Sequence, residues 1–303
     1  MNSSDNHLPL FDTIVIVGVG LIGGSLARAV REAKLAQRIV GAGRNLERLK
    51  EAQRAGVVDD VADAPHEVTG ADLVIVCTPV DRVVEDVRYW SQSLRMNGLI
   101  TDVGSTKQVI CGELEGFDGQ TDVEPQDDDD DDFVDAVFIG SHPLAGSEKH
   151  GWEHSDGTLF RGRRCILTPV PNVRKSSVDE LKKFWQLLGM QVDVMTPMQH
   201  DRLLAVTSHL PHAAAAAMSL LLTDEIIPLV ATGFRSTARV AGGDPSVWTP
   251  IFLSNAEAVL SAIDQFQSEL TTLADAIRAG DGDGVTSILA EARNRYLQLD
   301  PVE

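Results

Sequence analysis

Short apolar runs rich in β-branched residues alternate with segments of helical periodicity over the first two thirds of the chain. Such runs are typical of strands that are buried on both faces. Their regular alternation with helices predicts an α/β fold with a doubly wound, mostly parallel sheet. The predicted strands cover residues 14–17, 38–42, 72–78, 99–103, 137–140, 165–168 and 191–195, and the predicted helices include 46–55, 83–94 and 177–188.

A glycine-rich turn, Gly18-Val19-Gly20-Leu21-Ile22-Gly23, joins the first predicted strand to a helix. Gly18 permits a tight turn, Gly20 lets the backbone approach a ligand, and Gly23 lets the helix pack closely on the strand. The helix N-terminus offers unpaired N–H groups and a partial positive charge to an anion. The turn therefore predicts a Rossmann dinucleotide site, which Leu21, Ile22, Thr78 and Pro79 would border.

The end of the second predicted strand determines which dinucleotide this site favours. An Asp or Glu about 20 residues beyond the glycines would bind the adenosine ribose of NAD. Gly43 stands there instead, and Arg44 follows it. Because the acid is absent, nothing repels a 2′-phosphate, and the Arg44 guanidinium could pair with one. The sequence thus favours NADP, and NAD is the alternative if Arg44 only stacks on adenine or points to solvent.

No strand pattern follows residue 197, and proline and glycine separate helical segments from Met198 onward. We therefore expect a dinucleotide-binding Rossmann domain over 1–197 and an all-helical domain over 198–303. One long helix of the second domain carries apolar residues in alternating steps of three and four, as in a packed seam. The seam is either a core face or the interface of a homodimer, and it comprises Ala256, Val259, Ile263, Phe266, Leu270, Leu273 and Ile277.

The chain has a formal net charge of −19, and ten of its acids lie between residues 118 and 135. So acidic a protein has no means of neutralising nucleic-acid phosphates, so we expect no nucleic-acid partner. The six consecutive aspartates at 127–132 repel one another, and we expect a solvated, disordered surface insertion over 118–135. A calcium site would instead need alternating ligands and a glycine turn.

Cys77, Cys111 and Cys165 are widely spaced and odd in number, which predicts neither a disulfide framework nor a zinc site. The opening residues are polar and lack the apolar core of a signal peptide. The longest apolar run, 213–222, is too short to span a bilayer and predicts a buried helix. We therefore expect a cytoplasmic protein with no membrane partner.

Two polar loops follow neighbouring strands of the predicted sheet and would face the cofactor crevice. One contains Ser141-His142-Pro143, and the other is Asp102-Val103-Gly104-Ser105-Thr106-Lys107. A histidine at such a strand end is a candidate proton acceptor. The Ser105 hydroxyl could hydrogen-bond His142 and fix its tautomer.

The helical half adds His200, and then His209 and His212 in the sequence SHLPH. The last two would need a third ligand at a fitting spacing to hold a metal, so no metal site is predicted. Arg235 and Arg239 are four residues apart and would share one face of a helix. Two guanidinium groups in an acidic protein suit a substrate with carboxylates, and pairing with surface acids is the alternative.

The motifs GVGLIGGS, DVGSTK, SHPLAGSE, SHLPH and GFRSTAR…DPSVW occur in this order between about residues 12 and 295. Together they resemble the prephenate/arogenate dehydrogenase family of tyrosine biosynthesis. The resemblance implies oxidation of the C4 alcohol of a cyclohexadiene, with hydride passing to NAD(P)⁺ while the ring carboxylate leaves as carbon dioxide. The acidic insertion departs from the family pattern, and we expect a monofunctional chain without a chorismate mutase or regulatory segment.

The resemblance also implies a role for each matching residue. His142 would accept the proton of the C4 hydroxyl, and Ser105 would orient His142 and touch the nicotinamide. Arg239 would hold a substrate carboxylate. The substrate pocket would further include Glu148, which would help to close it, and Trp248, Arg235, His200, His209 and His212.

Two other functions fit part of the pattern. A β-hydroxyacid dehydrogenase also joins a Rossmann domain to a helical one, but it acts through a lysine of the helical half, where this chain has Arg235. A non-catalytic dinucleotide sensor would not need both His142 and Ser105 at strand ends. Formation of NAD(P)H with prephenate distinguishes all three functions.

Overall fold

The computed structural model describes residues 9–117, 137–147, 149–171 and 173–299. The predicted acidic insertion and Glu148 lie outside the described residues. The strands are β1 (Phe11–Val17), β2 (Ala36–Ala42), β3 (Asp60–Ala62), β4 (Ala71–Val76), β5 (Leu94–Asp102), β6 (Val137–Pro143), β7 (Arg164–Pro169) and β8 (Gln191–Val194).

The helices fill the connections of the sheet, and beyond β8 the described residues form helices and the turns that join them. None of these described helices is long and apolar enough to cross a membrane. They are α1 (Leu21–Glu32), α2 (Leu46–Arg54), α3 (Val83–Trp90), α4 (Gln108–Glu113), α5 (Lys175–Leu187), α6 (Pro197–Leu204), α7 (Leu210–Ser219), α8 (Thr232–Ala238), α9 (Pro245–Ser254), α10 (Ala256–Ala279) and α11 (Gly282–Tyr296).

All eight strands belong to one sheet, in the order β3-β2-β1-β4-β5-β6-β7-β8. Strands β1 to β6 run parallel, β7 is antiparallel to β6, and β8 is parallel to β7. The predicted doubly wound, mostly parallel sheet is confirmed. The sequence pattern does not predict β3, because three residues are too few to show a period.

Both faces of the sheet are covered, as the unbroken apolar runs require. On one face, Leu26 of α1 and Phe184 and Trp185 of α5 pack against the strands. On the other face, Val87 and Trp90 of α3 take this place. The carboxyl ends of β1, β4, β5 and β6 consequently share one edge of the sheet, where an open α/β fold binds its ligands.

The helical part of the chain buries little apolar surface by itself. The prediction of a buried helix over 213–222 is wrong, because α7 ends at Ser219 and Ala215 is its one buried residue. On α10, Val259 is buried, whereas Phe266, Leu270 and Ile277 are 38%, 50% and 62% exposed. An apolar seam exposed along a long helix is typical of a surface that another subunit covers.

Candidate active site

The glycine turn has the geometry that a dinucleotide pyrophosphate needs. Gly18 has a φ of +90°, a value that side chains other than glycine rarely adopt. A Cβ on Gly23 would collide with the carbonyl oxygen of Gly18, so helix and strand touch there. A Cβ on Gly20 would meet nothing within 4 Å. Gly20 is also the N-cap of α1, so open space lies before the unpaired N–H groups of Leu21 and Ile22.

The end of β4 borders this turn, as predicted. A Cβ on Gly18 would lie 3.0 Å from the carbonyl oxygen of Cys77 and 3.2 Å from Cγ2 of Thr78. The Thr78 hydroxyl donates a hydrogen bond of 2.7 Å to Asp86, and Pro79 follows it on the surface. The structure thus brings Thr78 and Pro79 to the predicted cofactor site.

At the other side of the turn, the chain after β2 leaves room for the adenosine end of a dinucleotide. Gly43 has a φ of +150°, and a Cβ there would lie 3.8 Å from the backbone nitrogen of Gly18. Arg44 is exposed, and its guanidinium pairs with no residue in the part of the chain that the structure describes. Asp63 follows β3 beside Gly43, because Ala42 and Ala62 are register partners.

A chain of hydrogen bonds runs from the end of β6 into the helical region. Nδ1 of His142 lies 2.8 Å from Nε2 of His200, and Nδ1 of His200 lies 2.6 Å from Oδ1 of Asp201. The Asp201 carboxylate also accepts the backbone N–H groups of Lys107 and Gln108, at 2.8 and 2.9 Å. Asp201 therefore joins the loop after β5 to α6 and supports both histidines.

These contacts determine where the ring protons lie. An ionised carboxylate only accepts hydrogen bonds, so Nδ1 of His200 carries the proton that Asp201 receives. Nε2 of His200 is then an acceptor, and Nδ1 of His142 must be the donor. His142 is left with a lone pair on Nε2, an atom with no hydrogen-bond partner in the described part of the chain. That tautomer is the one a proton acceptor requires.

Both histidines are held neutral. Burial, followed by electrostatic repulsion from His200 and Lys107, lowers the pKa of His142 well below its ordinary value, because each would oppose a second positive charge. Burial also lowers the pKa of His200, although Asp201 acts in the opposite direction. A neutral His142 is ready to accept a proton at neutral pH.

The positive charge beside these histidines comes from a buried ion pair. Nζ of Lys107 lies 2.7 Å from Oδ2 of Asp102, and both side chains have no solvent exposure. Nζ also donates to the carbonyl oxygens of Gly104 and Thr106, at 2.6 and 3.0 Å. All three N–H donors of the ammonium group are thereby used, as a charge in so dry a place requires.

Two of the predicted site residues take other places than expected. No hydrogen bond joins Ser105 to His142 in the described residues, and His200 fixes the tautomer of His142 by its contact with Nδ1. The prediction that Ser105 fixes this tautomer is therefore wrong for this structure, and its contact with nicotinamide stays a prediction. The prediction that His200 lines the substrate pocket is also wrong, since His200 is fully buried behind His142. His200 instead orients the ring of His142 through the hydrogen bond at Nδ1.

The helical wall of the crevice carries the other predicted residues. The ring of His212 stacks on Trp248 with centroids 3.3 Å apart, and His209 meets the same indole edge-on at 6.2 Å. Desolvation, and next the charge of Arg239, lower the pKa of His212, so Arg239 lies in this group. Arg235 is exposed. Its place in the pocket stays a prediction.

The backbone before α7 explains how His209 reaches the site. Residues Ala205–His209 form a π-helix, and Pro211 follows two residues later. Pro211 has no N–H to donate to the carbonyl oxygen four residues earlier, which loosens the regular helical ladder. Single π-turns of this kind occur frequently at functional sites.

Two residues of the site escape the sequence patterns: Asp201 and Asn255. Asp201 directly follows His200, and this adjacency of a carboxylate and an imidazole is a signal that could have been used. Asn255 contacts residues that are 46 and 54 positions away, for which the sequence holds no local sign. Within the described residues, no group of three His, Cys, Asp or Glu side chains could hold a metal ion.

Comparison with known proteins agrees with this architecture. Residues 26–194 match the family model of the prephenate dehydrogenase nucleotide-binding domain, and residues 196–291 match that of the prephenate dehydrogenase dimerization domain. A cyclohexadienyl dehydrogenase of Zymomonas mobilis is 31% identical, over 96% of this chain and 97% of that protein. A prephenate dehydrogenase of Bacillus subtilis is also 31% identical, over 93% of this chain and 75% of that protein.

Solved structures give the same result. A prephenate dehydrogenase from Aquifex aeolicus, in complex with hydroxyphenyl propionate and NAD⁺, superposes with a TM-score of 0.84 at 31% identity, over 95% of this chain and 98% of that chain. A Synechocystis arogenate dehydrogenase superposes with a TM-score of 0.78 at 25% identity, over 94% and 99% of the two chains. The resemblance of the sequence motifs is confirmed, and the chain belongs to the prephenate dehydrogenase family.

Proposed function

We propose that this chain catalyses the oxidative decarboxylation of prephenate or arogenate, giving 4-hydroxyphenylpyruvate or tyrosine, in tyrosine biosynthesis. The observation that carries the proposal is the hydrogen-bonded row of His142, His200 and Asp201 at the sheet edge that also holds the glycine turn. A base with a fixed tautomer beside a dinucleotide site suits the oxidation of an alcohol.

The chain's own residues would divide the work as follows. Nε2 of His142 accepts the proton of the substrate C4 hydroxyl as the C–H bond breaks. The new charge on His142 strengthens its Nδ1–H bond to His200, whose own N–H points to the Asp201 carboxylate. Arg239 pairs with a substrate carboxylate. Loss of carbon dioxide and formation of an aromatic ring supply the driving force, so the protein has only to position, deprotonate and bind.

The residues of the glycine turn fit an NAD(P) cofactor, which would accept the hydride from C4 when bound. Gly18, Gly20, Leu21, Ile22 and Gly23 would surround its pyrophosphate. We further propose that the chain prefers NADP⁺, because Arg44 is exposed next to Gly43 and pairs with no residue in the described part of the chain. Asp63 lies at the same edge, where its negative charge would oppose a 2′-phosphate. The preference for NADP⁺ therefore depends on the positive charge of Arg44.

We also propose a homodimer formed through the helical domain, with the enzyme in the cytoplasm. The exposed apolar residues of α10 support the dimer, as does the match to a dimerization-domain model. Cys77, Cys111 and Cys165 are all free thiols, which supports a reducing compartment.

The experiment is a set of initial rates with prephenate and arogenate, each with NAD⁺ and with NADP⁺, for the wild type and Arg44→Ala. We expect dinucleotide reduction with at least one of the two substrates, and a higher kcat/KM for NADP⁺ that Arg44→Ala lowers selectively. No reduction with either substrate would refute the activity. A wild-type preference for NAD⁺, or an equal loss with both dinucleotides in Arg44→Ala, would refute the cofactor choice.

A further inference from the structure

Asn255 is a buried side chain at the junction of α9 and α10 that the mechanism above does not use. Its Nδ2 lies 2.8 Å from the carbonyl oxygen of Asp201 and 3.1 Å from Nδ1 of His209. Asn255 is 5% exposed, and His209 is 1% exposed. One amide group therefore contacts both the residue that supports His200 and a second histidine of the crevice.

The orientation of this amide is fixed by its partners. A peptide carbonyl oxygen only accepts hydrogen bonds, so the atom facing Asp201 must be the NH₂ group and not the oxygen of Asn255. The same NH₂ group has a second hydrogen, which points to Nδ1 of His209. Nδ1 of His209 must therefore be an acceptor.

This contact decides the tautomer of His209. Burial lowers the pKa of His209 to about 4, so the ring is neutral at neutral pH. A neutral imidazole with an acceptor at Nδ1 carries its proton on Nε2. Nε2 has no hydrogen-bond partner in the described part of the chain. It is also not among the fully buried side-chain polar atoms that lack a partner there, which are Arg82 Nε and Trp152 Nε1, so it keeps a small solvent exposure. Nε2–H of His209 is therefore free to donate to a bound group.

We propose that Asn255 is a positioning residue that holds His209 as a neutral hydrogen-bond donor toward an oxygen of the substrate. The crevice then pairs an acceptor, Nε2 of His142, with a donor, Nε2–H of His209. The donor suits an oxygen with free lone pairs, such as a carboxylate or keto oxygen of the substrate. This role of His209 rests on the proposed function, whereas its tautomer does not.

The first test needs no substrate. Long-range ¹H–¹⁵N spectra of protein labelled with ¹⁵N-histidine distinguish a protonated ring nitrogen from an unprotonated one, and a His209→Gln spectrum assigns the signals. We expect a protonated Nε2 and an unprotonated Nδ1 for His209 in the wild type near pH 7. A proton on Nδ1 would overturn the inference, whatever the enzyme's activity.

The second test reverses the contact. In Asn255→Asp, a carboxylate would accept from Nδ1–H of His209 and turn Nε2 into an acceptor, and Asn255→Ala would remove the constraint if the aspartate variant does not fold. Because a hydrogen bond to a charged group contributes about 1.5–3 kcal/mol, we expect KM for the substrate to rise roughly 10- to 100-fold, with a smaller change in kcat. A KM unchanged in a folded variant whose tautomer has switched would overturn the donor role.

Ser254→Ala is the matched control. Ser254 precedes Asn255 and shares a hydrogen bond of 2.9 Å with Thr106 across the same junction, but it does not contact His209. We expect its substrate KM and histidine spectrum to remain those of the wild type. An equal rise of KM in Ser254→Ala would show that Asn255 only holds the junction together, and would overturn the proposal. Wild-type protein inactive on both substrates would refute the proposed function and leave the tautomer result intact.

Discussion

Replacing His200 tests how much the reaction depends on the orientation of His142. His200→Phe keeps a planar ring in the buried site but removes the acceptor that lies 2.8 Å from Nδ1 of His142. His200→Gln places a side-chain oxygen near that acceptor position and so can keep the hydrogen bond. The two variants therefore separate the loss of the hydrogen bond from the loss of the histidine itself.

The expected magnitude follows from the contact. A buried donor left without a partner costs about 1–3 kcal/mol, and 1.4 kcal/mol corresponds to about a factor of ten. We expect kcat of His200→Phe to fall roughly 10- to 100-fold, because the proton of His142 is free to move to Nε2. The loss cannot exceed the roughly 10²–10⁴-fold that a general base contributes. His200→Gln should lose less than about tenfold.

The assay is steady-state dinucleotide reduction at saturating substrate, with cofactor affinity measured separately by fluorescence titration. Asp72→Ala is a control for lost stability, because Asp72 accepts the backbone N–H groups of Asp12 and Thr13 at 2.7 and 2.8 Å at the start of β4, away from the crevice. Its kcat should be unchanged. If His200→Phe retains full turnover, or His200→Gln is impaired as strongly, the orienting role of His200 is wrong.

Charge and exposure give four further predictions. Because the pKa of His142 is lowered, kcat/KM should stay level as pH falls to 6.5 and decline only below it; a decline centred above 6.5 would contradict this. The pKa of His209 is about 4 in the folded protein and 6.5 in the unfolded chain, so the unfolded chain binds one more proton between these values. The free energy of unfolding should therefore fall by up to about 1.4 kcal/mol for each pH unit as the pH is lowered from 6.5 to 4, as denaturant titration would show. Arg239→Ala should raise the substrate KM about tenfold or more, and Arg235→Ala should raise it less; equal effects would place both guanidinium groups on the substrate. Leu270→Glu, on the 50% exposed seam of α10, should give monomers in analytical ultracentrifugation, whereas an unchanged dimer would place the interface elsewhere.

The parts of the fold that local chemistry determines could be predicted from the sequence. The glycine turn is an example, because Gly18, Gly20 and Gly23 each meet a requirement of one short segment. The cap of α2 is another, since the side chain of Asn45 accepts the N–H of Arg48 three residues later. Strand β3 is too short for any period, and it forms because β2 offers an edge to pair with.

The parts of the site that depend on distant contacts could not be predicted. Ser105 and His142 lie at neighbouring strand ends, so the sequence favours a bond between them. The ring nitrogen is instead taken by His200, which is 58 residues away and arrives on a helix of the second half. Asn255 likewise joins Asp201 and His209 through folding of the helical region. The types of residue are readable from the chain, but their pairing follows from how the two halves pack.

The proposed mechanism depends on Nε2 of His142, which accepts the proton of the alcohol that is oxidised. The most direct measurement is kcat of His142→Asn with the better of the two substrates, alongside the dissociation constant for the cofactor. We expect a folded protein with cofactor affinity close to that of the wild type and a kcat roughly 10²–10⁴-fold lower. Near-normal turnover in that folded variant would contradict this mechanism.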